Sequence, residues 1–74
     1  MDIQKTFCYH KPNDNQITRY DSIRLIAKEY AELILLICPD SREKSIALTK
    51  LQETVMWANA SIAITEADNV SQNL

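Results

Sequence analysis

The stretch ICPDSRE, residues 37–43, lies between two long segments of periodic apolar residues and decides the fold. Pro39 ends the first segment as a helix, because the residue before a proline avoids the α region. Asp40 stands three residues before Glu43, which resembles a capping box with aspartate as the cap, and Ser41 is an alternative cap. The stretch therefore predicts that one helix ends just before the proline and that a second begins directly after it.

Upstream of this turn, residues 18–38 are predicted to form helix one. Its apolar residues recur at spacings of three and four and define a core stripe: Ile23, Ala27, Tyr30, Ala31, Ile34 and Ile37. Five more apolar residues lie outside the stripe: Leu25, Ile26, Leu33, Leu35 and Leu36. A helix that is apolar nearly all round is covered on more than one side. Since two helices cannot supply that cover, we expect other copies of the chain to supply it.

Downstream of the turn, residues 41–66 are predicted to form helix two. Its seam follows spacings of three and four, as in a heptad repeat: Leu48, Leu51, Val55, Ala58 and Ile62. Two helices of similar length with a short connection form an antiparallel hairpin. We expect an all-α chain that is one domain over residues 1–74 and assembles into a homo-oligomeric helical bundle. An irregular or short helical N-terminal arm or lid (1–16) would precede the hairpin, and a flexible tail (67–74) would follow it.

Length and composition exclude several classes of function. The chain has 74 residues and no glycine, which excludes the phosphate-binding and nucleophile loops that need glycine backbone. A chain this short is marginal as a monomer. Residues 1–28 carry five basic side chains against three acidic ones, whereas residues 29–74 carry three against seven. Such a small basic excess does not fit a protein that binds duplex nucleic acid.

Catalytic and metal chemistry find little support in the sequence. His10 is the only histidine, and no serine is paired with a base, so we expect no enzyme activity. Cys8 and Cys38 are too few for a disulfide framework or a four-ligand zinc site, and we expect neither a metal nor a cofactor. The longest apolar run, residues 33–38, is too short to span a membrane. We expect a cytosolic protein without a membrane partner.

The sequence supports a ligand-binding site better than a catalytic one. Arg24 and Lys28 lie one turn apart on helix one, where a guanidinium and an ammonium group can meet phosphate oxygens. The arm carries Tyr9 and Pro12, with His10 between them, and would fold over that face as a lid in which the tyrosine ring stacks on a base. The alternative is that the two cations pair with neighbouring carboxylates and that Tyr9 only fastens the arm.

Helix two carries a second surface, which we call the polar ribbon and which consists of Ser45, Thr49, Gln52, Met56, Asn59 and Ala63. Small and hydrogen-bonding residues at this spacing fit a close helix contact in an oligomer. They also fit the floor of a pocket for a small polar ligand. A pocket built where copies of the chain meet would satisfy both interpretations.

Two blocks of sequence resemble a known family. Residues 38–49, CPDSREKSIALT, and residues 55–60, VMWANA, are similar to the hairpin domain of phage anti-CBASS nucleotide sponges, which recurs in a phage anti-Thoeris sponge. The upstream YHKP at 9–12 also fits, and the resemblance covers about residues 7–65. It implies a phage protein in the cytoplasm of an infected bacterium, assembled as a homohexamer. Such a protein sequesters cyclic oligonucleotide second messengers without cleaving them and thereby prevents the activation of CBASS effectors.

The resemblance also implies site residues. Tyr9 matches the base-stacking tyrosine and Lys28 the phosphate-binding lysine of pockets between protomers, which take cyclic dinucleotides such as 3′,3′-cGAMP. A second pocket for cyclic trinucleotides would use polar groups of helix two, here Arg42, Ser45, Thr49 and Asn59. Many relatives carry an arginine late in helix two, where this chain has Ala60 or Ile64, so the dinucleotide prediction is the better supported. The competing hypothesis is a helical oligomerisation or adaptor module that docks a protein partner.

Overall fold

The computed structural model describes residues 2–71, and this part of the chain contains three helices and no strand. They are α1 (Ile3–Phe7), α2 (Asp14–Ile37) and α3 (Arg42–Ser71). The helices α2 and α3 pack against each other as an antiparallel hairpin, and α1 packs on α3. The all-α hairpin predicted from the sequence is therefore confirmed.

The N-terminal arm contains one short helix followed by extended chain. Asp2 caps α1, since its carboxylate accepts hydrogen bonds from the backbone N–H groups of Gln4 at 2.9 Å and Lys5 at 3.3 Å. Beyond α1, the Nε2–H group of His10 donates to the backbone carbonyl of Lys5. These bonds fold residues 2–10 back on themselves, and α1 of this arm packs on α3.

The helix α2 begins at Asp14, four residues before the predicted start at residue 18. Its N-terminus is a capping box in which the Asn13 side chain accepts from Gln16 N–H at 2.8 Å and the Gln16 side chain accepts from Asn13 N–H at 3.0 Å. The sequence prediction was wrong here because it took Asn13 and its neighbours for a loop. These turn-forming residues are instead the cap that starts the helix.

At the turn between the long helices, the alternative cap is confirmed and the first choice is wrong. The Ser41 hydroxyl accepts a hydrogen bond from the Lys44 N–H at 3.1 Å. Asp40 instead accepts from the Lys44 ammonium group at 3.0 Å. That ammonium group also donates to the Leu35 carbonyl at 3.1 Å, which satisfies one of the open carbonyls at the end of α2.

The helix α3 continues through Ser71, whereas the sequence predicted an end at residue 66 and a flexible tail over 67–74. Residues 67–71 are helical, and residues 72–74 lie outside the described part of the chain. Two contacts explain the longer helix. Glu66 is bonded to α2, and Ala67 is buried with only 5% of its surface exposed.

The core lies along the seam between α2 and α3. All five predicted seam residues of α3 are half-buried, as are Ile23, Ala27 and Ala31 of α2, and Ile34 is buried. Tyr30 and Ile37, which the sequence placed in the core stripe, are 58% and 66% exposed. The hairpin is a single layer, 52 × 25 × 13 Å, so only the sides of the helices that face each other are covered.

The chain exposes more surface than its mass predicts. Its radius of gyration is 15.7 Å, against about 11 Å for a compact domain of this length. Its accessible area is 6,144 Å², against about 4,700 Å² for a compact monomer. Large apolar side chains on several sides of α2 account for part of the excess, among them Leu25, Ile26, Leu33, Leu35 and Leu36. Assembly of several copies remains a prediction.

Candidate ligand-binding site

A groove of about 310 Å³ runs along the middle of the hairpin. We call it the basic groove because Arg24 and Lys28 of α2 are its only charged lining residues. Its floor is apolar, and Gln52 of α3 adds a carboxamide. The rest of the lining is Ala27, Ala31, Leu48, Leu51, Val55 and Met56. The predicted pair of cations therefore borders one concave surface together with part of the polar ribbon.

Both cations of the groove have carboxylate neighbours on their own helix. Arg24 Nη1 lies 3.3 Å from Asp21 Oδ1, and Lys28 Nζ lies 3.9 Å from Glu32 Oε1. The two basic side chains are 70% and 72% exposed, and ion pairs this exposed contribute little. The pairing expected under the alternative interpretation is present, but it is weak enough for either cation to turn toward an anion in the groove.

A second cavity, also of about 310 Å³, lies between the arm and the far end of the hairpin. We call it the arm cavity. Tyr9, His10 and Lys11 form one wall, the cap of α2 a second, and α3 the third. The residues of the last two walls are Asn13, Gln16, Ala63, Glu66 and Ala67. In contrast to the basic groove, this cavity presents many polar groups to a ligand.

Glu66 anchors the wall of the arm cavity. Its oxygens accept two hydrogen bonds from the Arg19 guanidinium, at 2.6 and 2.7 Å, and one from the Gln16 carboxamide at 2.9 Å. The bonds from Arg19, followed by the bond from Gln16, lower the pKa of Glu66, and the same contact raises the pKa of Arg19. Glu66 is therefore an anion near neutral pH and can only accept hydrogen bonds.

The structure does not gather the predicted dinucleotide residues into one cavity. Tyr9 borders the arm cavity and is 85% exposed, and Pro12 is half-buried in the arm. Arg24 and Lys28 border the basic groove, and eight residues of α2, about 12 Å, separate Gln16 from Arg24. The arm packs on α3, so within one chain it does not form a lid over the two cations.

The polar ribbon nevertheless joins the two cavities. Gln52 and Met56 line the basic groove, and Ala63 lines the arm cavity. The spacing of the ribbon places these residues on one side of α3. Asn59 lies between the cavities, and its buried Oδ1 has no hydrogen-bond partner within the described chain.

The four residues predicted for a trinucleotide pocket are spread along α3. Arg42, Ser45 and Thr49 are exposed in its first two turns, and Asn59 is half-buried far beyond them. Seventeen residues of helix, about 25 Å, separate Arg42 from Asn59. One chain therefore does not bring these four side chains around a single ligand, and their role stays a prediction.

Sequence reasoning missed Glu66, Gln16 and Asn13 as lining residues. The Asn13-x-x-Gln16 spacing was a usable signal for the cap. Glu66 gave no local signal, since its partners are 47 and 50 residues away. Across residues 2–71, no three His, Cys, Asp or Glu side chains come together in a way that would hold a metal ion. None of the helices in this described part has the length and apolar character needed to cross a membrane.

A family model for the Acb2/Tad1 hairpin domain matches residues 1–63. The chain belongs to this family. It is the family of anti-CBASS and anti-Thoeris sponges that the sequence resembles. No curated protein and no solved structure matches the chain. The Acb2/Tad1 match spans the arm and the whole basic groove, whereas Glu66 and Ala67 of the arm cavity lie beyond its end.

Proposed function

We propose that this chain binds cyclic oligonucleotide second messengers and holds them without cleaving them. The main ligands would be cyclic dinucleotides such as 3′,3′-cGAMP, and cyclic trinucleotides would be secondary. Sequestration keeps the messenger from CBASS effectors, so the protein acts in the cytoplasm of the infected bacterium. Membership of the Acb2/Tad1 family supports the proposal.

The main observation that supports this function is the geometry of the basic groove. Arg24 and Lys28 stand one turn apart over an apolar floor, so two cations can meet phosphate oxygens while a sugar or base covers the floor. A guanidinium group forms paired hydrogen bonds to phosphate, and an ammonium group adds a compact charge. In a chain without glycine, side chains on helices take the role that backbone N–H groups have in phosphate-binding loops.

The ring of Tyr9 would come to the groove from another copy of the chain. It is 85% exposed in its own chain and lies away from the two cations. The accessible area of 6,144 Å² exceeds that of a compact monomer by about 1,500 Å², which is about twice the area that one partner contributes to a standard protein interface. A homo-oligomer, a hexamer according to the family resemblance, buries this surface and brings Tyr9 of one copy to Lys28 of the next.

The chemistry that the chain offers supports sequestration without cleavage. Hydrolysis of a phosphodiester needs a metal ion or a positioned base. His10 is the only histidine, and its Nε2 donates to the Lys5 carbonyl. Among the residues that the structure describes, the linings of the two cavities contain no serine, threonine or cysteine that it could activate.

A release experiment tests the proposal. The protein is incubated with 3′,3′-cGAMP, passed through a filter that retains the protein, and then denatured by heat. We expect the filtrate to lose the nucleotide and the denatured sample to return it intact. Linear products would identify a nuclease instead, and a filtrate that keeps all of the nucleotide would contradict binding of this ligand.

A second candidate function is an adaptor that docks a protein partner. One side of α2 favours it, because Ile26, Tyr30, Leu33 and Ile37 are all at least half exposed. Contiguous exposed apolar side chains are typical of interaction sites. The adaptor predicts monomers or dimers, a protein ligand, and no thermal stabilisation by cyclic nucleotides, so a thermal-shift series with cyclic nucleotides separates the two functions.

A further inference from the structure

We propose that the arm cavity receives one nucleobase of the bound messenger and that Glu66 makes it select guanine over adenine. This inference rests on the proposed function and adds base selectivity to it. The cavity has about 310 Å³, at the lower end of the range for small-molecule pockets, which suits a base better than a whole nucleotide. Tyr9 supplies an exposed aromatic ring at its edge.

The selectivity follows from the hydrogen bonds that Glu66 already makes. A carboxylate has about four acceptor positions. Oε1 accepts from both Gln16 and Arg19, whereas Oε2 accepts only from Arg19 at 2.7 Å. One acceptor position on Oε2 is therefore left over. Asn13 adds a second acceptor to the lining, because its Oδ1 accepts only one hydrogen bond, from Gln16 N–H.

A base with adjacent N–H donors matches this lining. The Watson–Crick edge of guanine offers an N1–H and an amino group side by side, and both can donate to carboxylate or carboxamide oxygens. Adenine offers one amino group next to an unprotonated N1, whose lone pair would face the anion. Because Arg19 and Gln16 lower the pKa of Glu66, the carboxylate stays ionised near neutral pH and continues to favour donors.

Glu66 is not part of the family-model match. It lies beyond the part that matches the Acb2/Tad1 hairpin model, residues 1–63. Its partners Gln16 and Arg19 lie within that part, so the selective group is supplied by the C-terminal extension of α3.

Two matched variants test the inference. Glu66→Gln and Arg19→Gln both break the same ion pair, but only Glu66→Gln removes the carboxylate. Calorimetric affinities are measured for cyclic di-GMP and cyclic di-AMP, with helicity checked by circular dichroism. We expect the wild-type chain to prefer cyclic di-GMP by about tenfold or more, as a hydrogen bond to a charged group allows. Arg19→Gln should keep that ratio, and Glu66→Gln should bring it close to one.

The ratio separates a selective role from a structural one. If Glu66 only fastens α3 to α2, both variants weaken both ligands alike and leave the ratio unchanged, which would overturn the inference. A wild-type ratio near one would overturn it as well, while the proposed function stands. If neither cyclic di-GMP nor cyclic di-AMP binds the wild-type chain although 3′,3′-cGAMP does, the inference fails and the proposed function stands. If 3′,3′-cGAMP does not bind either, both fail.

Discussion

Lys44 Nζ lies 3.1 Å from the carbonyl oxygen of Leu35, so a side chain from the first turn of α3 caps the last turn of α2. The same ammonium group bonds Asp40 in the connecting turn at 3.0 Å, and only 10% of the lysine side chain is exposed. No basic residue of α2 occupies its own last turn. The charge that complements the negative end of this helix dipole therefore comes from its partner helix.

Replacing this lysine should loosen the hairpin at its closed end. Lys44→Met keeps the length of the side chain but leaves the Leu35 carbonyl without this donor. We expect a loss of about 1–2 kcal/mol of unfolding free energy, measured by urea denaturation at a fixed protein concentration. Lys50→Met is the control, since its ammonium group is largely exposed and contacts only Glu53 of its own helix at 3.4 Å. Equal effects of the two substitutions would contradict the capping role.

The contact between Glu66 and Arg19 should make stability depend on pH in the acid range. The bonds from Arg19 and Gln16 lower the pKa of Glu66 in the folded chain. Its contribution is therefore complete above the unfolded pKa, about 4.3, and is lost as the pH falls through the lower folded pKa. We expect the urea midpoint of the wild-type chain to drop below pH 4 more than that of Glu66→Gln. Parallel curves for the two proteins would contradict this assignment.

Local sequence signals predicted the hairpin, but they did not give the start of α2 or the end of α3. Pro39 predicted the turn, and the apolar spacing of the α3 seam predicted which side of that helix packs against α2. Both patterns can be recognised in short stretches of sequence. The start of α2 was missed since asparagines serve equally in turns and caps. The end of α3 was missed because Glu66 finds its partners 47 and 50 residues upstream.

The candidate site was predictable only in part for the same reason. Arg24 and Lys28 share a face because they are one turn apart, and in the structure they border one groove. The position of Tyr9 relative to the long helices depends on the path of the arm. The apolar periodicity of the helices does not predict that path. Tyr30 and Ile37 followed the core period yet are exposed, since a two-helix layer covers only a narrow strip of each helix.

Removing either cation of the basic groove should weaken binding of cyclic dinucleotides. Hydrogen bonds to charged groups contribute about 1.5–3 kcal/mol, so we expect Arg24→Ala or Lys28→Ala to lower the affinity for 3′,3′-cGAMP about tenfold or more. The loss should shrink at high salt, where exposed charges are screened. Lys50→Ala removes the same charge from a position outside the groove and should bind like the wild-type chain. Calorimetry at two salt concentrations checks this, and an unchanged affinity in both groove variants would remove the groove from the site.

The apolar surface of α2 should hold the copies of the chain together. Leu36 is 82% exposed and Ile26 is 66% exposed, and a charged side chain at either position would be buried without a partner in an assembly. Light scattering of the wild-type protein should give about six times the chain mass of 8.5 kDa, and Leu36→Glu or Ile26→Glu should lower that mass. Ser61→Glu, at an exposed position on α3, is the matched control. A wild-type mass of one chain would contradict the assembly.

A complementation experiment asks whether each site combines two copies. Tyr9 and Lys28 border different cavities of one chain. Tyr9→Ala and Lys28→Ala should each weaken binding of 3′,3′-cGAMP about tenfold or more, so that sites with wild-type affinity are no longer detected. If a site takes its tyrosine from one copy and its lysine from another, chains unfolded together in equal amounts and refolded will restore about a quarter of the sites, since each contributor is intact half of the time. The restored sites should bind with wild-type affinity, and calorimetry gives their number. If both residues of a site came from the same chain, every chain in the mixture would lack one of them, and refolding together would restore no tight sites.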